Sequence, residues 1–194
     1  MISDEKQRLR EQMKAKAVDC SINRPVFPIH TLMTSDAWTN AFSVLLYSPI
    51  GSEADTTTLI SAAAERSLVF PRINGEVLEL YRMTPESNWV TGLFGIAEPD
   101  PATWEPFGTA DLDLALVPGL AFDRNGGRLG RGKGFYDRLL GSSDFRGIKA
   151  GIAWDWQLVD RVPRESHDIL MDLIVTEGKL HWTGSGLDNQ GKRR

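Results

Sequence analysis

The chain has 194 residues, of which 41% are hydrophobic and 25% are charged, and its formal net charge is −4 at pH 7. These proportions are ordinary for a globular protein, and the length suits one domain with a substantial core. The negative charge argues against a general nucleic-acid-binding protein, because such proteins present a broad basic face to the phosphate backbone.

The N-terminal sequence and the cysteine content favour an intracellular protein. Residues 1–14 are rich in charged side chains and lack the apolar region of a secretory signal. No apolar run approaches the roughly 18–20 residues that a membrane helix needs. The single cysteine, Cys20, excludes an intramolecular disulfide and a multi-cysteine metal site, which is compatible with a reducing compartment. We therefore expect a cytoplasmic protein with neither membrane nor nucleic-acid partners.

The first quarter of the chain predicts a helix, a break and then a buried strand. Residues 3–19 contain no Gly or Pro and begin with capping and acidic side chains, which predicts a helix. Two prolines then interrupt the pattern. A short helix is expected from about Ser35, and the apolar run 41–47 is typical of a buried strand.

The next elements are a capped helix and two strands. Asp55 or Thr56 is expected to cap a helix through residue 67. The run 67–71 is apolar, and residues 76–83 alternate in the manner of a half-exposed strand. Both runs are therefore predicted as strands.

The second half of the chain alternates loops, strands and one helix. Residues 84–110 are rich in Pro, Gly and Trp and are predicted to form an irregular connection that helps to line a pocket. Buried strands are predicted for 113–123, 147–154 and 172–177, and a helix is expected to begin near Phe135.

The order of these elements favours an α/β fold with parallel strand pairs, because strands and helices largely alternate. Residues 1–183 are expected to form a single domain. The sequence from 184 to 194 is polar and glycine-containing, and we expect it to be a disordered C-terminal tail.

A glycine-rich basic segment, GGRLGRGKGFYDRLL at residues 127–141, is the clearest chemical feature. Glycines let backbone N–H groups converge on an anion, and the predicted position before a helix favours phosphate. Between Asp123 and Lys133 there are four basic side chains against one acidic side chain. Such a confined basic patch in an acidic protein matches a small anionic ligand.

The spacing of this segment departs from the common nucleotide motifs. Residues 127–133 fit G-x-x-x-x-G-K, but Gly134 stands where a phosphate-binding loop carries Ser or Thr. Asp137 stands where a dinucleotide fingerprint has Gly or Ala, and its carboxylate suits Mg²⁺. The alternative is a solvated basic turn in which Asp137 pairs with a nearby arginine.

The segment VPGLAFDRNGGRLGRGKGFYDRLL resembles the 5-formyltetrahydrofolate cyclo-ligases, also called methenyltetrahydrofolate synthetases. Shorter segments are similar to the same family in the same order along the chain: 6–10, 51–56, 70–72, 95–99, 162–168 and 172–176. The resemblance therefore spans roughly residues 6–177.

The resemblance implies a three-layer, Rossmann-like α/β fold with a mainly parallel sheet. It also implies an ATP- and Mg²⁺-dependent enzyme that converts 5-formyltetrahydrofolate to 5,10-methenyltetrahydrofolate and releases ADP and phosphate. In that chemistry the formyl oxygen takes the γ-phosphoryl group, and N10 then closes the ring as phosphate leaves. The implied partners are these small molecules alone, and the implied assembly is a monomer.

The resemblance also assigns site residues. Two side chains, Arg131 and Lys133, are expected to stabilise the transferred phosphoryl group, and Asp137 and Asp168 to hold the metal. The residues implied for ATP are Lys6, Arg10, Arg128, Leu129, Gly130, Arg131, Gly132, Lys133, Gly134, Phe135 and Tyr136. Those implied for the folate are Ser48, Glu53 and Phe94, with Arg131, Gly132, Lys133, Gly134 and Phe135 shared between the two substrates.

Site residues that the resemblance assigns outside the glycine-rich segment also have structural alternatives. Lys6, with Arg10, would otherwise lie on a solvated helix face. Glu53 would be an acid in a surface turn, and Asp168 a helix cap or a partner of Arg164. For the protein as a whole, the alternatives are another phosphoryl-transfer enzyme on a related fold, or a non-catalytic regulator that binds nucleotide or folate.

Overall fold

A computed structural model describes residues 2–20, 26–63 and 65–184. The predicted C-terminal tail therefore lies outside the described residues, apart from its first residue. Within the described ranges the helices are α1 (Ile2–Cys20), α2 (His30–Met33), α3 (Asp36–Thr39), α4 (Leu59–Ala62) and α5 (Phe135–Leu140). None of these helices has the length and apolarity needed to cross a membrane.

The helix boundaries confirm three predictions and correct one. Helix α1 covers the predicted 3–19, α5 begins at the predicted Phe135, and the Ser35 hydroxyl caps α3 by accepting the Trp38 N–H at 3.3 Å. The helix predicted through residue 67 is wrong in extent, because α4 is only four residues long. Asp55 accepts hydrogen bonds from the N–H and hydroxyl of Thr57 at 2.8 and 2.6 Å, and this local turn competes with a helical start.

Eight strands form one large sheet, and two short hairpins stand beside it. The strands are β1 (Ser43–Leu45), β2 (Ser67–Asn74), β3 (Val77–Arg82), β4 (Trp89–Thr91), β5 (Ala97–Pro99), β6 (Glu105–Phe107), β7 (Leu114–Val117), β8 (Ala121–Phe122), β9 (Arg128–Leu129), β10 (Ile148–Ile152), β11 (Leu173–Val175) and β12 (Leu180–Trp182). The large sheet has the order β12-β11-β10-β7-β1-β2-β3-β6, and the hairpins are β4-β5 and β8-β9.

The five central strands, β11-β10-β7-β1-β2, are parallel, and β12, β3 and β6 add antiparallel edges. Every residue of β1, β7 and β11 is buried. Continuous apolar strands of this kind are typical of a parallel sheet covered on both faces. The predicted mainly parallel α/β fold is confirmed.

Side chains of successive strand residues enter two cores on opposite faces of the sheet. Val44 packs in one cluster with α3 and α4, whereas Leu45 packs in the other with α5. Leu114 and Ala115 divide in the same way. This alternation follows from the two-residue period of a strand, and it produces the predicted three layers.

The loops differ most from the sequence predictions. The region 84–110, predicted to be irregular, contains the β4-β5 hairpin and strand β6. The predicted strand 113–123 divides into β7 and β8 around Pro118 and Gly119, and strand β12 was not predicted. Strand β9 lies inside the glycine-rich segment, where it pairs with β8.

The strand order reverses beside β1. From β1 the chain adds β2 on one side, whereas β7, β10 and β11 extend the sheet on the other side. The loops that leave the carboxyl ends of β1 and β7 therefore diverge and leave a crevice. Such switch points are where open α/β sheets bind their ligands.

Candidate active site

A cavity of about 410 Å³ lies at this switch point. Tyr47 and Ser48, which follow β1, form one wall, and Pro118 and Gly119, which follow β7, contribute to another. Helix α1, the β4-β5 hairpin and the glycine-rich segment complete the lining. The sheet topology thus determines the position of the cavity.

All of the residues predicted for ATP, folate and metal lie on this one lining: Lys6, Arg10, Ser48, Glu53, Phe94, Arg128, Leu129, Gly130, Arg131, Gly132, Lys133, Gly134, Phe135, Tyr136, Asp137 and Asp168. Positions that are separated by up to 162 residues in the sequence are therefore neighbours in the fold.

A buried carboxylate that the sequence analysis did not single out supports the glycine-rich segment. Asp123 is fully buried and accepts hydrogen bonds from the N–H groups of Asn125, Gly127 and Val162 at 2.8–2.9 Å. A Cβ at position 127 would lie 2.4 Å from the Asp123 carboxylate. Gly127 is therefore required by packing against Asp123 and not by contact with a ligand.

Two other glycines have a conformational role. Gly132 and Gly134 have φ of 100° and 67°, in the left-handed region that glycine adopts without strain. Gly134 directly precedes α5. The segment between β9 and α5 thereby lines the cavity.

Arg128 and Asp137, predicted for phosphate and metal respectively, form an ion pair. Arg128 Nη2 donates to Asp137 Oδ2 at 2.9 Å, and the arginine side chain is 5% exposed. Its guanidinium lies over the Tyr136 ring at 5.6 Å, and its buried Nε has no hydrogen-bond partner among the described residues. Asp137, in the first turn of α5, is thus paired with a nearby arginine as in the alternative, but both side chains line the cavity and do not lie in a solvated turn.

Lys6 does not lie on a solvated face. It is 8% exposed, and its ammonium donates to Glu165 at 2.8 Å and to Asp168 at 2.6 Å. Asp168 is therefore paired with Lys6, and the alternative of an ion pair with Arg164 is not observed. Arg10, one turn further along α1, donates from Nε to the carbonyl of Gly130 at 3.1 Å.

The electrostatics of this cluster stabilise its charged forms. Burial alone would lower the pKa of Lys6, but the hydrogen bonds and charges of Asp168 and Glu165 outweigh burial and raise it. Burial would likewise raise the pKa of Asp168, but the Glu165 N–H and the Lys6 ammonium lower it below the usual value. Both groups are therefore charged at neutral pH.

Glu53 is buried, which contradicts the alternative of an acid in a surface turn. It is 8% exposed; its Oε1 accepts from Arg131 Nε at 2.9 Å, and its Oε2 accepts from the Ile50 N–H at 2.9 Å. Burial raises the pKa of Glu53, and the charge of Arg131 opposes that shift without cancelling it. Arg131, predicted to contact the transferred phosphoryl group, thus rests against the residue predicted for the folate.

The cavity mouth carries the β4-β5 hairpin. Phe94, at the tip of the hairpin, is 66% exposed and has φ of 61°, which is unusual for a residue other than glycine. Its ring is available to a planar ligand at the mouth. The Ser48 hydroxyl donates to the carbonyl of Ala97 at 2.6 Å, so this predicted substrate residue also fastens the hairpin.

The carboxylate of Glu98 was also missed by the sequence analysis. It is 3% exposed, lines the cavity and accepts the Ile73 N–H at 3.4 Å, with Arg72 Nη1 at 3.8 Å. These contacts join the hairpin to β2. Glu98 bonds to a backbone N–H 25 residues away, and Asp123 joins its own turn to Val162, 39 residues away; no local pattern shows these long-range contacts.

Two groups of carboxylates could hold a metal ion. Asp137 lines the cavity near the loop, and the ligand atoms of Glu165, His167 and Asp168 lie within 4.8 Å of one another. Carboxylate oxygens are the ligands that Mg²⁺ prefers, and one or two of them suffice when phosphate supplies the rest. The donor set therefore fits Mg²⁺ associated with a nucleotide.

The sequence matches the 5-formyltetrahydrofolate cyclo-ligase family over residues 2–177. A 5-formyltetrahydrofolate cyclo-ligase of Mycolicibacterium smegmatis is 34% identical over 143 residues, which cover 69% of this chain and 73% of that protein. The enzyme of that name from Escherichia coli is 33% identical over 156 residues, which cover 77% of this chain and 85% of that protein.

The fold is similar to that of solved structures. The NMR structure of Aquifex aeolicus 5,10-methenyltetrahydrofolate synthetase superposes with a TM-score of 0.79 at 34% identity and covers 94% of this chain and 95% of that one. A 5,10-methenyltetrahydrofolate synthetase from Mycoplasma pneumoniae, 21% identical, has the same fold, with a TM-score of 0.59 over 87% of this chain and 96% of that one.

Proposed function

The chain belongs to the 5-formyltetrahydrofolate cyclo-ligase family, and we propose that its cavity binds ATP and 5-formyltetrahydrofolate side by side. Its activity is the conversion of 5-formyltetrahydrofolate to 5,10-methenyltetrahydrofolate. One observation supports the assignment of residues: a basic glycine-rich segment and a buried glutamate line the same cavity.

The nucleotide phosphates bind along the segment between β9 and α5. Residues 130–134 line the cavity, and backbone N–H groups of such a glycine-rich segment favour an anion. Lys133 is exposed and has no ion pair within the described residues, so its ammonium is available to the γ-phosphate. Lys6 and Arg10 carry positive charge from α1 to the same region.

The folate binds on the other side of the cavity. Glu53 accepts hydrogen bonds from the amino and N–H donors of the pterin ring, because an ionised carboxylate is purely an acceptor. Phe94 stacks on a planar part of the folate at the cavity mouth. This arrangement brings the formyl oxygen and the γ-phosphoryl group together.

Asp137 and Asp168 are the residues proposed to hold Mg²⁺. The ion would supply charge neutralisation at the phosphates of the bound nucleotide. Asp168 already accepts three hydrogen bonds, two from Lys6 and one from the Glu165 N–H. Lys6 is therefore in direct contact with this proposed metal ligand.

Catalysis rests on positioning and charge, since the substrate provides its own nucleophiles. The formyl oxygen bonds to the γ-phosphorus as ADP leaves, and N10 then bonds to the formyl carbon as phosphate leaves. Lys133 and Arg131 stabilise the oxygens of the transferred group, and the two substrates are held with the formyl oxygen next to the γ-phosphorus.

The test is the near-ultraviolet absorbance of methenyltetrahydrofolate on mixing the purified chain with Mg-ATP and 5-formyltetrahydrofolate. We expect absorbance to grow with time and to require both substrates. Absence of product from folded, metal-replete protein would contradict the proposal. Tight binding of either ligand without product would instead indicate a regulator.

We also propose that the protein is a monomer and that it is cytoplasmic. All of the site residues come from one chain, so a single copy supplies the whole cavity. The ligands are small molecules, and size-exclusion chromatography coupled to light scattering should give the mass of one chain.

A further inference from the structure

Arg131 extends across the cavity and not along the segment that carries it. Its Nε donates to Glu53 Oε1 at 2.9 Å, and its Nη2 donates to the carbonyl of Ile50 at 2.8 Å. Arg131 belongs to the nucleotide side and Glu53 to the folate side, and the two positions are 78 residues apart in the sequence. One guanidinium therefore joins the two halves of the site.

Arg131 occupies part of the acceptor capacity of Glu53 while this pair is intact. Both of its oxygens already accept hydrogen bonds, Oε1 from Arg131 and Oε2 from the Ile50 N–H. The side chain is 5% exposed, so water does not compensate for further crowding. N–H donors of a ligand that approach Oε1 compete with Arg131 for this buried oxygen.

Arg131 is the more exposed partner of the pair. Its side chain is 39% exposed, in contrast to the 5% of its partner. It precedes Gly132, whose φ of 100° lies in a region open to glycine, and a Cβ at Gly51 would still lie 4.0 Å from its Nη2. Once the hydrogen bond to Glu53 is lost, the described contacts leave the guanidinium its exposed Nη2 hydrogen bond to the carbonyl of Ile50, which it must also exchange to reach a phosphate.

A guanidinium paired with a carboxylate attracts phosphate less strongly than a free one, because the two charges largely cancel at a distance. Released from Glu53, Arg131 would remain on the segment beside the nucleotide phosphates and could donate two hydrogen bonds to their oxygens. Binding of one substrate can thus change the binding free energy of the other through the Arg131 side chain.

We propose that the ion pair between Glu53 and Arg131 couples the two substrate subsites. Pterin donors take over Glu53 and release Arg131 to the ATP phosphates, so each substrate binds more tightly in the presence of the other. This inference rests on the proposed function of the cavity. Thermodynamic linkage requires the effect to be reciprocal, whichever substrate binds first.

The test is calorimetric titration of a non-hydrolysable ATP analogue with Mg²⁺, in the absence and presence of saturating 5-formyltetrahydrofolate. In the wild type we expect folate to tighten analogue binding by about fivefold or more. In Glu53→Gln, titrated without folate, the analogue should bind nearly as tightly as it binds to the wild type with folate. In Arg131→Met, analogue binding should be weak and independent of folate.

Asp55→Asn is the matched control, because Asp55 is an exposed acid in the same segment that bonds only to Thr57 among the described residues. It should behave as the wild type. Equal analogue affinity with and without folate in the wild type, or full coupling in Arg131→Met, would overturn the inference. Turnover is measured on the same wild-type preparation: product without coupling refutes the coupling alone, whereas no product refutes the proposed function.

Discussion

Lys133 differs from three other cations of the cavity in its side-chain contacts. Within the part of the chain that the structure describes, Lys6, Arg128 and Arg131 each form an ion pair with a carboxylate, whereas Lys133 forms none. A compact ammonium on a flexible stem can follow a phosphoryl group as it moves between two oxygens. Lys133 therefore has no evident structural role to lose.

Lys133→Ala should accordingly reduce kcat by about 100-fold or more while leaving stability nearly unchanged. The loss corresponds to removing one charge-stabilising donor from a transition state. Urea denaturation should give a free energy of unfolding within about 0.5 kcal/mol of the wild type, as for other exposed substitutions. Lys179→Ala, an exposed lysine beside β12, is the control and should retain the wild-type rate. A near-normal kcat in Lys133→Ala would remove its assigned role.

The buried carboxylate of Glu53 should give the protein a recognisable dependence of stability on pH. Burial raises its pKa in the folded state, so the folded protein binds this proton more tightly than the unfolded chain does. The free energy of unfolding should therefore fall as pH rises from the unfolded pKa through the folded one.

Urea denaturation of the wild type and Glu53→Gln between pH 4.5 and 8 checks this prediction. Glutamine keeps an acceptor for the Ile50 N–H but does not titrate. The stability of the wild type relative to the variant should decline with increasing pH. A difference that stays constant over this range would show that Glu53 does not titrate with a raised pKa.

At the scale of elements, the β4-β5 hairpin depends on one glycine. A Cβ at Gly92 would lie 2.1 Å from Glu98 Oε2, which no real packing tolerates. The Glu98 carboxylate in turn joins the hairpin to the N–H of Ile73 on β2. A side chain at position 92 must therefore displace the Glu98 carboxylate, which weakens the link between β2 and the hairpin that carries Phe94.

Gly92→Ala should raise the KM for 5-formyltetrahydrofolate by about tenfold while leaving the affinity for the ATP analogue unchanged. Overpacking of this kind typically costs about 1–3 kcal/mol of stability. Steady-state kinetics and calorimetry separate the two effects. Gly178→Ala is the control, because a Cβ there meets nothing within 4 Å. Equal losses of folate and nucleotide binding would contradict a role confined to the hairpin.

Helix α1 is attached to the rest of the protein more by charge than by apolar contact. Met13 is its buried apolar residue among the described side chains, with Leu9 packed nearby, and Lys6 supplies the ion pairs to Glu165 and Asp168. Because the pKa of Asp168 is lowered, its contribution to stability is lost only as pH falls through the folded pKa, and it is complete at neutral pH.

Lys6→Met should destabilise the protein by about 1–3 kcal/mol, because it leaves two adjacent carboxylates without a counter-charge. Relative to the wild type, amide hydrogen exchange in Lys6→Met should accelerate more in α1 than in the central strands. Lys14→Met, an exposed lysine on the same helix, should change neither quantity. If Lys6→Met matched that control, the ion pairs would contribute nothing to the docking of α1.

Elements with a strong apolar run or a clear cap were predictable from the sequence. Strands β1, β10 and β11 and helices α1 and α5 lie where the pattern placed them. The β4-β5 hairpin and β12 were missed because they are short and only partly buried, and their positions depend on distant partners. Trp89, for example, owes its position to ring contacts with Phe70 at 4.8 Å and with Trp104 at 4.8 Å.

The residues that form the site were predictable from the sequence, but the contacts between their side chains were not. Glycine and charge patterns indicated an anion site at 127–137, and the resemblance supplied Glu53 and Asp168. No local pattern shows that Arg131 pairs with Glu53 or Lys6 with Asp168, because those partners are 78 and 162 residues apart. Long-range ion pairs are decided by how the loops converge at the carboxyl ends of the strands.

At the scale of the whole molecule, the cavity draws on segments from one end of the sequence to the other. Lys6 comes from α1, Glu53 from the loop after β1 and Asp168 from the segment before β11. The sheet beneath them is packed on both faces, so it provides a rigid base for loops that would otherwise be independent. Ligands that bridge these loops stabilise the fold as a unit, since an unfolded chain cannot assemble the site.

Saturating ligands should therefore raise the melting temperature. At a concentration about 100 times Kd, a ligand specific for the folded state adds about 2.7 kcal/mol. For a chain of this size the corresponding shift in Tm is roughly 5–10 °C. Scanning calorimetry should show such a shift with 5-formyltetrahydrofolate and a separate one with the Mg-bound ATP analogue. Glu53→Gln should lose most of the folate shift and show a nucleotide shift at least as large as that of the wild type; a full folate shift in that variant would show that the pterin binds elsewhere.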